Sequence, residues 1–83
     1  MTEKTDLFVL FRQIAEEVEK KPMTEITRQS VIADLGIDSL SMMQIVGEME
    51  SRLGVLVPDD QLVKLVTVDD LIAVVQKRLE LGA

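Results

Sequence analysis

Three apolar stripes at helical spacing constrain this chain more than any other feature. Leu7, Leu10, Phe11, Ile14 and Val18 form the first, Met42, Ile45, Val46, Met49 and Leu53 the second, and Val68, Leu71, Ile72, Val75 and Leu79 the third. A recurrence of three or four residues lines one face of an amphipathic helix. The spacing predicts helices from Thr5 to about Lys20, from Ser39 to Leu53, and from Thr67 towards the end of the chain. Acids Glu16, Glu17 and Glu19 fall on the outer face of the first, and Lys20-Lys21 suits the negative end of its dipole. Pro22 should stop this helix and Gly54 the second. Pro58 opens a short turn or helix through Asp59-Asp60 to about Leu65. Thr67-Val68-Asp69-Asp70 has the form of a capping box, with Asp in place of the longer Glu.

Residues 22–38 carry no sustained period. A connection of that length is unusual in a small domain, so the reading is an ordered loop pinned by Met23, Ile26, Val31, Ile32 and Leu35. The expected fold is all-α: a small bundle of three main helices plus one short helix, with a long loop between the first and second. Residues 1–83 are read as a single domain, because a chain of 83 residues has no room for a second core.

Composition narrows function by exclusion. Apolar residues make up 47% of the chain, enough for a core without disulfides or metal. There is no Cys and no His, which removes the thiol nucleophile, the thiolate metal site and the usual neutral-pH base. Phe8 and Phe11 are the only aromatics, too few to stack on nucleic-acid bases. A net charge of −6 opposes both phosphate backbones and anionic lipid surfaces. No apolar run reaches membrane-spanning length, and MTEKTDLF lacks the form of a secretory signal. The expectation is a cytoplasmic monomer that binds neither nucleic acid nor membrane. Beginning at Met1, it is read as a free-standing protein.

The acidic and hydroxyl residues offer little chemistry of their own. Asp34 and Asp38 flank Gly36, yet a calcium loop counted from Asp34 would need Gly where Ser39 stands and Glu where Ile45 stands. Asp59-Asp60 and Asp69-Asp70 fall at helix starts, where the dipole favours carboxylates. Ser30 and Ser41 have no activating base. The five Met residues read first as core filling. No catalytic residue and no metal site emerges, and the chain is read as a non-enzyme.

Ser39 stands apart because of its surroundings. Asp34-Leu35-Gly36-Ile37-Asp38-Ser39-Leu40 reads DLGIDSL, and an acid and a hydroxyl ahead of a helix are ordinary capping chemistry. That stretch is followed by Leu53-Gly54, by Val57-Pro58-Asp59 and by Thr67-Val68-Asp69-Asp70-Leu71. In this order and spacing the chain resembles the acyl carrier protein family over almost its whole length. The resemblance implies that Ser39 receives 4′-phosphopantetheine from coenzyme A, by a magnesium-dependent transferase. The arm then carries acyl groups as thioesters. Asp38 matches the acid that helps organise loading. The implied partners are a phosphopantetheinyl transferase, acyltransferases, ketosynthases or other acyl-processing enzymes. A chain without Cys must import its sulfur, which fits. A phosphodiester at a helix start would also meet free N–H groups, and Gly36 would let the loop turn closely before it.

The second helix departs from the acid-rich face usual in carriers of primary fatty-acid synthesis. Ser41 and Gln44 are neutral and Arg52 is positive, while Glu48 and Glu50 remain. Leu40, Met43 and Gly47 form an outward stripe, apolar to small, in which Gly47 could be a dent for a partner's side chain. The expected partner-binding residues are therefore Leu40, Met43, Gly47, Glu48 and Glu50. These departures favour a carrier of polyketide or related natural-product synthesis. Primary fatty-acid synthesis is the alternative, and an unmodified helical adaptor is a third reading of a different class. Peptidyl carriers fit less well, because their serine usually follows a Gly-Gly run.

Overall fold

A computed structural model describes residues 6–81. Helix α1 spans Leu7–Glu19, α2 Ser39–Leu53, α3 Asp59–Leu62 and α4 Val68–Glu80, with a single 3-10 turn at Ile32–Leu35 in the long loop. This is the expected small helical bundle. Its core joins all three stripes: Phe11 and Ile14 from α1, Ile45 and Met49 from α2, Leu71 and Val75 from α4 are fully buried. Helix α1 packs on both α2 and α4.

The helix ends show where local chemistry overrode the expected boundaries. Helix α1 begins at Leu7 because Asp6 caps it, its carboxylate accepting the N–H groups of Phe8 at 3.1 Å and Val9 at 3.2 Å; the expected start at Thr5 lies outside the described residues. It ends before Pro22. Lys20 adopts the left-handed conformation at φ 60° and donates its N–H to the Glu16 carbonyl. Left-handed backbone costs a non-glycine residue about 1–2 kcal/mol, so surrounding contacts must hold this turn. Helix α3 is shorter than expected, four residues with Pro58 as its cap in an extended conformation. Thr67 and Asp70 form the complete capping box of α4, at 3.1 and 3.0 Å, and the same Asp70 oxygen also accepts Val66 N–H at 3.0 Å.

One device ends both α1 and α2. Glu16 and Glu50 each offer a backbone carbonyl to the left-handed residue four positions on, Lys20 and Gly54. Each then turns its carboxylate onto the N–H seven positions on: Met23 at 2.8 Å and Val57 at 2.7 Å. Met23 and Val57 are buried, so each carboxylate fixes the point where the chain re-enters the core.

The long loop is less irregular than its sequence suggests. Met23, Ile26, Ile32 and Ile37 are buried in the core. Residues 28–32 run antiparallel to residues 66–69, with a bridge between Val31 and Thr67. Ile32 N–H reaches Val66 O at 2.8 Å, Val68 N–H reaches Ser30 O at 3.0 Å, and Asp69 N–H reaches Arg28 O at 2.8 Å. An exposed Arg28–Asp69 ion pair at 3.1 Å closes the clasp.

Glu50→Ala should lower the unfolding free energy by about 1–3 kcal/mol, since a buried N–H loses a charged acceptor. Glu48→Ala, which removes only an exposed pair with Arg52 at 3.3 Å, should cost no more than about 0.5 kcal/mol. Urea unfolding of the two variants measures the contrast, and equal losses would refute the capping role of Glu50.

Candidate functional site

The route to Ser39 is set by residues that alternate between core and solvent. The 3-10 turn ends at Gly36, whose φ of 78° is the left-handed value that favours glycine. Ile37 then plunges into the core, and Asp38, Ser39 and Leu40 stand exposed. Asp38 is the cap of α2: its backbone is extended, its carboxylate accepts Ser41 N–H at 2.8 Å, and its carbonyl accepts Met42 N–H at 2.9 Å. Ser39 is the first residue of the helix. Sequence alone left the cap between these two neighbours; the structure gives it to Asp38.

The Ser41 backbone amide, then the Ser41 hydroxyl, hold the Asp38 carboxyl below its ordinary value of 3.8, against a small opposing desolvation. Asp38 is therefore anionic at neutral pH beside the Ser39 hydroxyl. The other serines are occupied differently. Ser30 Oγ accepts Thr27 N–H at 2.9 Å within the loop, and Ser41 belongs to the Asp38 cap.

A groove of about 580 Å³ opens beside Ser39, between the 3-10 turn, the start of α2 and the α3 segment. Ile37, Met42, Leu62 and Leu65 form part of its wall, and Asp38 and Asp59 supply polar edges. Met43, Val63 and Val66 line it while standing exposed, Met43 at 61% and Val63 at 82%. The sequence reading missed Val63 and Val66. The signal was present: four apolar residues stand between positions 62 and 66, more than a four-residue helix can bury.

The other expected contact residues separate into two groups. Leu40 is exposed, as is Met43. Gly47 is exposed too, and an added Cβ would meet nothing within 4 Å, so packing inside the chain does not require glycine there. Glu48 is paired with Arg52, which also reaches Glu17 of α1 at 3.1 Å. Glu50 is half-buried and faces the Val57 amide, so its carboxylate serves the fold.

The descriptor of the matching family model is a phosphopantetheine attachment site, and the match covers residues 10–75. An acyl carrier protein of Rhodococcus erythropolis is 46% identical over 72 residues, covering 86% of this chain and 79% of that protein. A meromycolate extension acyl carrier protein of Mycobacterium tuberculosis is 46% identical over 66 residues, covering 78% of this chain and 57% of that protein. The crystal structure of an acyl carrier protein from Thermotoga maritima superposes with a TM-score of 0.85 at 28% identity, covering 93% of this chain and 91% of that one. Fold and site together define a carrier that bears a covalent prosthetic arm. The chain belongs to the acyl carrier protein family. Such proteins are non-catalytic, carry covalent 4′-phosphopantetheine, and work with phosphopantetheinyl transferases and acyl-processing enzymes; the adaptor reading is set aside. An exposed hydroxyl in the first turn of a helix, next to an open apolar groove, fits such an arm. Among the described residues no helix is long and apolar enough to cross a membrane.

The caps predict an acid limb. Asp70, like Asp38, is held below 3.8, chiefly by the Thr67 amide and then the Val66 amide. With folded values depressed, the unfolded chain binds more protons, so both caps stabilise fully above the unfolded value. That contribution is lost as pH falls below about 3.8 through the folded values. Urea midpoints should fall over this range, and the double variant Asp38→Asn, Asp70→Asn should fall less steeply. An unchanged slope would rule these two carboxyls out.

Proposed function

We propose that Ser39 is the residue to which 4′-phosphopantetheine is joined. The supporting observation is its position, exposed at the first place of α2, with the capping task assigned to Asp38. The Ser39 hydroxyl oxygen is the acceptor presented to the transferase, and the anionic Asp38 beside it helps organise loading. The amides of the first turn and the helix dipole favour a phosphodiester at that point. Once attached, the arm supplies the thiol that holds acyl groups as thioesters. Residues 1–83 act as one domain, monomeric and cytoplasmic.

The pathway proposed is specialised acyl-chain building, polyketide or related. The outer face of α2 supports this, with neutral Ser41 and Gln44 and with Glu48 engaged by Arg52. Fatty-acyl chain extension is the second reading, favoured by the groove's apolar wall and by the meromycolate extension relative.

Incubation with coenzyme A and a broad-specificity phosphopantetheinyl transferase tests the site by intact mass. Wild-type protein should gain one arm and Ser39→Ala none. Because Asp38 holds the cap, Ser39→Ala should cost no more than about 0.5 kcal/mol of stability. Loading of Ser39→Ala, or modification mapped to Ser30 or Ser41, would overturn the assignment.

Docking should rest on Leu40 and Met43 as apolar anchors, with Gly47 as the dent between partner and helix and Glu48 as a weak steering charge. Buried anchors can carry 2 kcal/mol or more, whereas rim charges chiefly alter association rate and its salt dependence. Met43→Ala should therefore slow acyl transfer by a purified partner more than Glu48→Gln at two salt concentrations. Gly47→Ala should slow transfer while raising stability by up to about 1 kcal/mol. A large, salt-sensitive loss for Glu48→Gln beside a silent Met43→Ala would favour the fatty-acid reading.

A further inference from the structure

We propose that Met43 is a peroxide-oxidised site, and that its sulfoxide closes the groove beside Ser39 to apolar guests. Among the described residues the methionines divide sharply. Met49 is fully buried, Met23 is 7% exposed, Met42 is half-buried, and Met43 is 61% exposed. Met43 also stands one helical turn beyond Ser39 and forms part of the groove's rim. Its thioether is therefore both the most accessible sulfur described and the one placed at the functional opening.

The step balances with a hydroperoxide as oxidant. The Met43 sulfur lone pair attacks the outer peroxide oxygen, an S–O bond forms and the O–O bond breaks. With hydrogen peroxide, sulfur loses two electrons, and the departing hydroxide takes the proton left on the sulfur-bound oxygen and leaves as water. The product replaces a flexible apolar side chain with a polar, hydrogen-bond-accepting one, and methionine sulfoxide reductases reverse it. At this rim the sulfoxide keeps its hydration, and an apolar guest must displace that water without returning a hydrogen bond. Val63 and Val66 also present apolar surface there but contain no sulfur, and Met42, the other methionine of the lining, is half-buried, so sensitivity concentrates at Met43. The helix is spared, because Met43 packs outside the core.

The test uses the full chain, treated with hydrogen peroxide and mapped by peptide mass spectrometry, with Nile red as a neutral probe of the groove. Met43 should oxidise at least about tenfold faster than Met23 and Met49, whose sulfurs are reached only by local opening. Nile red binding should weaken roughly three- to tenfold on oxidation, an effect expected of one unpaired polar group at an apolar contact. Reductase treatment should restore it. Met43→Leu should show no fall in its own dye affinity on peroxide treatment, and Met43→Gln should imitate the oxidised state. Equal oxidation of Met49, unchanged dye binding after Met43 oxidation, or an equal loss in Met43→Leu would each overturn the proposal. The consequence for acyl transfer rests on the Ser39 reading. If reduced wild type is not loaded, that reading fails, whereas the peptide map and dye titration still judge Met43.

Discussion

The antiparallel clasp between residues 28–32 and 66–69 is the constraint on which the site depends. Three backbone hydrogen bonds of 2.8 to 3.0 Å join the long loop to the head of α4. Without them residues 22–38 would span the gap between α1 and α2 with only side chains to hold them. With them, Ile32 and Ile37 enter the core at fixed points, and the turn at Gly36 is left with one way to reach α2. The position of Ser39 follows from pairing some eight residues upstream. The same clasp also holds Val66 at the groove, because Val66 O is one of its acceptors.

A second constraint comes from the pair of glutamates at the helix ends. Glu16 and Glu50 each join a helix terminus to a loop amide seven residues on. A carboxylate in that position satisfies an N–H that entry into the core would otherwise strip of water, which is costlier than the modest net worth of an average hydrogen bond. This explains why Glu50 does not act with Glu48, although both are acids on one helix. Two residues apart on α2, they face different solvents: Glu48 meets water and Arg52, Glu50 meets the protein.

Helix count, core stripes and the capping box were legible in the sequence because each depends on local spacing, whereas Ser39 stood out only through the family resemblance of its surroundings. Periodicity placed Ile45, Val46 and Met49 inside, and they are buried. What sequence did not show depends on distant partners. The clasp pairs residues some forty positions apart, and nothing local to Ser30 or Val31 marks Thr67 and Val68 as its opposite side. Lys20 was equally opaque, since a lysine rarely takes left-handed backbone; Pro22 looked like the stronger stop. The groove escaped notice because exposed Val63 and Val66 read as ordinary short-helix residues until the wall opposite them is known.

The division of labour between Asp38 and Ser39 has a consequence for the life of the chain. The aspartate carries the hydrogen bond that starts α2, and the neighbouring serine hydroxyl is committed to no hydrogen bond among the described residues. On the proposed attachment at Ser39, the start of the helix and the tag draw on different groups of adjacent residues. If the arm is joined at Ser39, its gain or removal leaves the hydrogen bond that starts α2 in place. The handle can be fitted after the tool is finished.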